Sequence, residues 1–303
     1  MRIGVCYVMI LGMLRLLLKP LSALSLPTIH RLGVLLGRIM FFLMPKSRQL
    51  ISNNLIQSQL FSDKTDLNEA IKDTVLESGK SIVESLALWQ KNDTEILSWV
   101  KSCKNWHIVD EAIARNKGIL FLTPHLGCFE ITSIFYGAKH PITVLFRPPK
   151  MQWLMPFIQT GRARNHIKLA PANLQGVRML MQALKRGEAV GMLPDQIPAS
   201  GEGEWAPFFG KPAYTMTLAS KLANKTGATV IMAFGERLPN GEGFAIHLTQ
   251  LADGAIATPA FLNKAIEQQI AQKPAQYLWR YPRYKVRRHA VKKENAASNN
   301  QPD

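Results

Sequence analysis

The sequence predicts an α/β fold, a layered sheet with helices packed on it, on three observations. Short apolar runs at 106–109, 118–123, 142–146, 188–193 and 228–235 read as strands, and Phe244–Leu251 reads as another after the PNGEG turn. Helical patterns lie between most of them, at Phe129–Tyr136, Leu174–Arg186 and Tyr214–Thr226. Such strand–helix alternation is the mark of a layered sheet. Finally, 303 residues at 47% hydrophobic and 19% charged make a globular chain, long enough for one large domain or two small ones.

The first element is an apolar, basic block. Residues 1–62 contain no Asp or Glu and hold seven bases: Arg2, Arg15, Lys19, Arg31, Arg38, Lys46 and Arg48. Residues 268–293 are also free of acids and hold eight bases, whereas 63–267 carry 22 bases against 19 acids. The net charge of +16 therefore belongs to the two ends. A nucleic-acid partner would ask for polar basic segments. Here single bases are set in apolar stretches, which suits an anionic membrane surface. The base-free run 3–14 reaches roughly 18 Å at ~1.5 Å per residue, short of the ~30 Å of bilayer hydrocarbon. An in-plane or half-inserted anchor is favoured over a span through Leu16–Leu18 with Arg15 snorkelling. It is also favoured over a cleaved leader ending near Ser22-Ala23-Leu24-Ser25, because a second apolar basic block follows.

The expected organisation is anchoring helices over 1–45, closed by Pro45, an α/β domain over 46–290 and a disordered polar tail over 291–303. A long helix is expected over 66–90, with Asp66 and Glu69 as a capping box and Ile71, Val75, Ile82, Leu86 and Trp89 near helical spacing. Cys6, Cys103 and Cys128 are scattered and form no CxxC, which argues against a disulfide framework or zinc ribbon and fits a reducing compartment.

Ligands of layered sheets bind where strands end and helices begin. GILFLTPHLGCFE, residues 118–130, marks one such point. Pro124 cannot donate to a ladder, so the strand stops there. His125 then stands in the crevice, with Glu130 in the first turn beyond. A carboxylate bonded to one imidazole nitrogen fixes the tautomer and raises the basicity of the other, giving a general base for an alcohol. The bland alternative is a capping His and a surface Glu that never meet. AVGMLPDQ marks a second strand end, with Asp195 just past it as a crevice carboxylate or a turn cap. Cys128 raises a Cys–His thioesterase reading. A zinc site from His125, Cys128 and Glu130 lacks further ligands at metal spacing.

HLGCFE after an apolar strand resembles the HX4D/E motif of the glycerolipid acyltransferase superfamily. RQLISNNL, GRARNHIKL, ALKRGEAVGMLPDQ, PFFGKPAYTMTLASKLANKTGATVIMAFGERL and PAQYLWRYPRYK follow one another along the chain. Together they resemble the late acyltransferases of lipid A biosynthesis, over nearly the whole chain. The resemblance implies a single acyltransferase domain with a mixed central sheet flanked by helices and a membrane-associated N-terminal helical segment, at the cell inner membrane with its site on the cytoplasmic side. It implies an acyl-acyl carrier protein donor and a Kdo-lipid A precursor whose hydroxyacyl hydroxyl is the acceptor. No metal or other cofactor is implied. His125 would be the base and Glu130 its partner. Arg162, in the GRxR element, would hold a phosphate or an oxyanion. Arg164 would support it. Asp195 would orient Arg162 or the sugar acceptor. From its own residues, the turn-rich WAPFFGKPA reads either as a loop folding back on the core or as an exposed aromatic lip for an acyl chain or lipid, where Lys211 could meet a phosphate. A glycerophosphate or other glycolipid acceptor is the alternative within the superfamily. A membrane-tethered binding protein is the alternative outside it, and that reading leaves His125 and Glu130 unexplained.

Overall fold

The computed structural model describes residues 19–149 and 155–285. The anchoring run over 3–18 and the polar tail lie outside those residues. The chain opens with helix α1 (Leu26–Leu43), α2 (Pro45–Ser58) and α3 (Lys64–Leu88). A short α4 (Asp93–Ser98) leads into the edge strand β1 (Val100–Lys104). Then come α5 (His107–Ala114), β2 (Ile119–Leu122), α6 (Phe129–Gly137), β3 (Ile142–Phe146), α7 (Met155–Arg162) and β4 (Ile167–Pro171). The second half is α8 (Leu174–Lys185), β5 (Ala189–Met192), a hairpin of β6 (Gly203–Phe208) and β7 (Lys211–Met216), α9 (Leu218–Thr226), β8 (Thr229–Arg237), β9 (Phe244–Gln250) and α10 (Pro259–Ile270).

Seven strands form one sheet in the order β1-β9-β8-β2-β5-β3-β4. All pairings are parallel except β8 with β9, so β9 and β1 run against the other five. The mixed α/β sheet expected from the sequence is the sheet observed. Alternation along the central strands divides the core in two. Leu120, Leu122, Val190, Met192, Val230 and Met232 face one way, onto α2, α3, α8, α9 and α10. Ile119, Phe121, Ala189, Ile231 and Ala233 face the other, onto α5 and α6.

Four local readings are corrected. Residues 106–109 open α5 instead of forming a strand; the edge strand is the polar VKSCK just before. The α3 cap is Asp63, whose Oδ1 accepts from the backbone N–H of Thr65 at 2.5 Å and of Asp66 at 3.4 Å. Asp66 lies inside the first turn. Residues 214–216 belong to β7, so the helix there starts at Leu218. The turn-rich WAPFFGKPA is the β6–β7 hairpin, with positive φ at both Phe209 (46°) and Gly210 (74°), as a two-residue primed turn requires. Its Phe208 is buried in the core, so the segment is not the exposed aromatic lip that its composition suggests.

Helix α1 lies on α3 through glycines. A Cβ at Gly79 would collide with the carbonyl oxygen of Gly33 and the nitrogen of Gly37, and one at Gly33 with Cα of Lys80. Small residues at such a crossing let backbones meet directly. Leu26, Ile29, His30 and Met40 face the body, while Leu35, Ile39, Phe42 and Leu43 remain exposed. The helix is long and apolar enough to cross a membrane, with a third of it buried against the body.

Candidate active site

Strands β2 and β5 are neighbours in parallel register, with Leu122 opposite Met192. His125 and Asp195 each lie three residues beyond that pair, so the two strand ends set them side by side. The Nδ1–H of His125 donates to Asp195 Oδ1 at 2.8 Å, and its backbone N–H donates to Oδ2 at 3.0 Å. Nε2 is thereby the acceptor nitrogen, and the Gln196 side-chain amide donates to it at 3.1 Å. Asp195 is buried. Burial works against its charge, but His125, by charge and by both hydrogen bonds, outweighs it and holds the carboxyl below the usual carboxylate range.

Glu130 makes no hydrogen bond to His125 among the described residues. It stands in the first turn of α6, buried, and accepts from Arg162 Nε at 2.9 and 3.1 Å and from Nη2. The expected partners are thus exchanged. Asp195 steadies the histidine, and Glu130 steadies the arginine at the end of α7. The reason lies in the sheet order, which brings the β5 end, not the α6 face, against the His125 ring. The Arg162 guanidinium also lies over Trp89 and Phe146, 5.3 and 5.7 Å from their ring centres.

Two other expected residues stand apart from this pair. Arg164 donates to the carbonyls of Gly161, Leu88 and Lys91 and to Asp93, so it closes the ends of α3 and α7 onto each other. Lys211 is exposed at the start of β7, its Nζ 5.1 Å from the centre of the Tyr284 ring. Cys128 is buried, and burial pushes its thiol well above the ordinary range, the reverse of an activated nucleophile.

The loop carrying His125 is held from behind. Gly127 has φ of +60°, and a Cβ there would strike the Gly235 carbonyl, so glycine is required. The Gly127 carbonyl accepts from Arg237 Nη2 at 2.8 Å. Arg237 also donates to both oxygens of Glu84, at 2.9 and 3.0 Å, and His30 Nε2 lies 3.0 Å from the same carboxylate. All three are buried. Burial opposes the charge on Glu84, yet the charge of Arg237 and the contact with His30 bring its carboxyl down to about 2. Leu278 N–H donates to the His125 carbonyl at 3.0 Å, and Asn54 Nδ2 holds the carbonyls of Trp279 and Tyr281. The NNL and YLWRY segments, far apart in sequence, therefore meet behind one loop. Sequence reading missed Arg237 and Glu84; their signal was a charge ending the apolar run 228–235 and an acid inside the apolar stripe of a long helix.

In front of His125 lies a cleft of about 480 Å³, lined by His125, Phe129, Arg162, Gln196 and apolar residues such as Leu193 and Met216. A narrow apolar pocket shares Phe129, Leu145, Phe146, Arg162 and Leu193 with it. That pocket runs between α6 and the sheet, past Phe121, Val144, Ala233 and Gly191. Gly191 leaves room there: its Cβ would lie 3.5 Å from Ile142 and Val144, in ordinary contact. The arrangement is an imidazole with a carboxylate behind it, which can serve as a general base, with an anchored guanidinium nearby and an apolar slot leading away.

Residues 2–286 match the family model described as bacterial lipid A biosynthesis acyltransferase. The chain is 28% identical over 278 residues to the lipid A biosynthesis lauroyltransferase of Escherichia coli K12, covering 88% of this chain and 89% of that protein. It is 29% identical over 218 residues to the lipid A biosynthesis palmitoleoyltransferase of the same organism, 69% of each chain. A lipid A biosynthesis acyltransferase 2 of Shigella flexneri is 22% identical over 260 residues, 84% of this chain and 81% of that one.

Proposed function

The chain belongs to the bacterial lipid A biosynthesis acyltransferase family and is an O-acyltransferase; from that premise we propose that it transfers a fatty acyl group from acyl carrier protein to a hydroxyl on a Kdo-lipid A precursor, with His125 as base. The observation that carries this reading is the Asp195–His125 pair with Nε2 turned to the cleft. Nε2 takes the proton of the acceptor hydroxyl. The alkoxide oxygen bonds to the thioester carbonyl carbon, and negative charge moves to the carbonyl oxygen. As the tetrahedral species collapses, the C–S bond breaks, and the imidazolium passes its proton to the departing sulfur, so the carrier leaves as its thiol and His125 is neutral again. Asp195 steadies that imidazolium. Arg162, fixed by Glu130, stands where it can balance the oxyanion or a substrate phosphate. The Gln196 amide covers Nε2 in the free enzyme and gives way to the acceptor hydroxyl.

Both proposed partners are anionic, and the basic ends of the chain draw each toward the enzyme. Residues 1–45 serve as the membrane-seated part and 46–290 as the acyltransferase domain, working at the cytoplasmic face of the inner membrane. The test is turnover of the purified, detergent-solubilised protein with lauroyl-, myristoyl- and palmitoyl-carrier thioesters and the Kdo-lipid A precursor. Transfer with at least one donor is the expected result. Folded protein that binds the precursor but transfers none of the three would sink this assignment of donor and acceptor.

The apolar pocket is the place for the acyl chain. Gly191→Leu pushes an isobutyl group into it, past Ile142 and Val144. The variant is expected to shift donor preference to chains shorter by several methylenes, at about 0.8 kcal/mol for each methylene left unburied. An unchanged chain-length profile in competition assays would remove the pocket from the acyl path.

A further inference from the structure

We propose that a hollow beside α1 binds the phosphate headgroup of an anionic phospholipid at the bilayer surface. The hollow has a volume of about 420 Å³ and lies between α1, α3 and the turn after β8. Arg31 and Arg38 of α1 and Lys80 of α3 line it, with Leu35 and Asn240. Arg31 and Arg38 are seven residues apart, two helical turns, and so share one face. The glycine crossing explains the third cation: only because Gly33 lacks a side chain does the Lys80 backbone come against α1. No acidic side chain lines the hollow among the described residues. Lys80 Nζ donates to Glu77 Oε1 at 2.5 Å, but Glu77 stands outside it.

The flank of the hollow is hydrocarbon. Leu35 is 54% exposed, Ile39 46% and Phe42 76%, all on the same helix as the two arginines. Clustered cations beside an exposed apolar face fit a phosphodiester with acyl chains attached, since each half of the lipid meets its match. An acidic protein or a free phosphate would leave the apolar half uncovered. The position also fits. β8 and β2 are parallel, so the turn holding Asn240 follows the same end of the strands from which His125 emerges. A headgroup held there brings the cleft to the membrane side.

The full-length protein is floated with phosphatidylcholine vesicles and with vesicles in which part of that lipid is phosphatidylglycerol. Neither contains a lipid A precursor, and the readout is binding, so the result is separate from the acyl-transfer reading. Arg31→Gln/Arg38→Gln is compared with Lys19→Gln/Lys46→Gln, which removes the same charge from exposed positions flanking α1. A diffusely placed base is worth about fivefold in partitioning. The hollow pair is expected to lose at least about tenfold more phosphatidylglycerol-dependent binding than the flanking pair, and binding to neutral vesicles is unchanged. Arg31→Lys/Arg38→Lys is expected to keep most of it, and inorganic phosphate is expected not to displace it. Equal losses in the two pairs would mean diffuse charge and overturn the site. No loss, equal loss on neutral vesicles, or displacement by inorganic phosphate overturns it too. Weakened binding of acyl carrier protein with intact vesicle binding would assign the hollow to the carrier instead.

Discussion

His125→Ala is expected to abolish transfer to within the background left by binding alone, and Asp195→Asn to lower kcat by about three to four orders of magnitude. The second result is the more informative. The substituted amide would keep the contact to the backbone N–H of His125, because its carbonyl oxygen can still accept. What it cannot keep is an acceptor for Nδ1–H and a negative charge beside the imidazolium at once. The ring would turn over or change tautomer, and Nε2 would lose its lone pair to the wrong proton. Glu130→Gln should cost less, because it acts through the seating of Arg162, and much of its loss should fall in KM. Steady-state kinetics of the three variants decide the matter. Near-normal kcat for Asp195→Asn together with total loss for Glu130→Gln would return the carboxylate role to Glu130 and contradict the geometry.

Arg237→Met is expected to destabilise the fold by about 3–5 kcal/mol, since it strands the Glu84 carboxylate in the core. The pair also sets the response to acid. The folded carboxyl of Glu84 lies near 2 against an ordinary 4.5. A lowered folded value means that the stabilisation is complete above about 4.5 and is lost as pH falls toward 2. Its size is on the order of 3 kcal/mol. The double variant Glu84→Leu/Arg237→Met removes both charges and is expected to regain most of the stability and to lose this acid sensitivity. It is not expected to regain turnover, because the Gly127 carbonyl behind the His125 loop has lost its donor. Urea unfolding at neutral and acid pH, with kcat for each variant, separates the two effects. A double variant as active as the wild type would show that the loop needs no such support.

How far the site was legible follows from where each piece of information resides. Pro124 ends a strand by local chemistry, so the place of His125 could be read from the short segment 118–130 alone. Asp195 was recognisable as a strand-end carboxylate for the same reason. That the two meet depends on β2 lying next to β5, and nothing within either segment states the order of a parallel sheet. Glu130 has the right spacing to approach His125 but turns to an arginine 32 residues on. The edge strand was missed because VKSCK is mostly exposed and carries no apolar alternation, while WHIV beside it does. IKLAP is too short and too mixed to stand out from the GRARNH turn before it. The β6–β7 hairpin hid because its turn is made by a phenylalanine in the left-handed region. Distant groups hold that conformation: Glu267 accepts from its N–H and Gln57 donates to its carbonyl.

The crossing of α1 over α3 at Gly33, Gly37 and Gly79 has a mechanical consequence. Side chains between two helices act as a cushion, and a cushioned helix can roll or slide. Here backbone rests on backbone, and a one-residue slip would drive a side chain into a space that holds none. The azimuth of Phe42 and Ile39 relative to the sheet is therefore a constant of the molecule. If a bilayer takes up those side chains, as proposed above, it takes up a fixed altitude with them, and the height of His125 above the lipid would be set by a rigid spacer, not by the length of a leash.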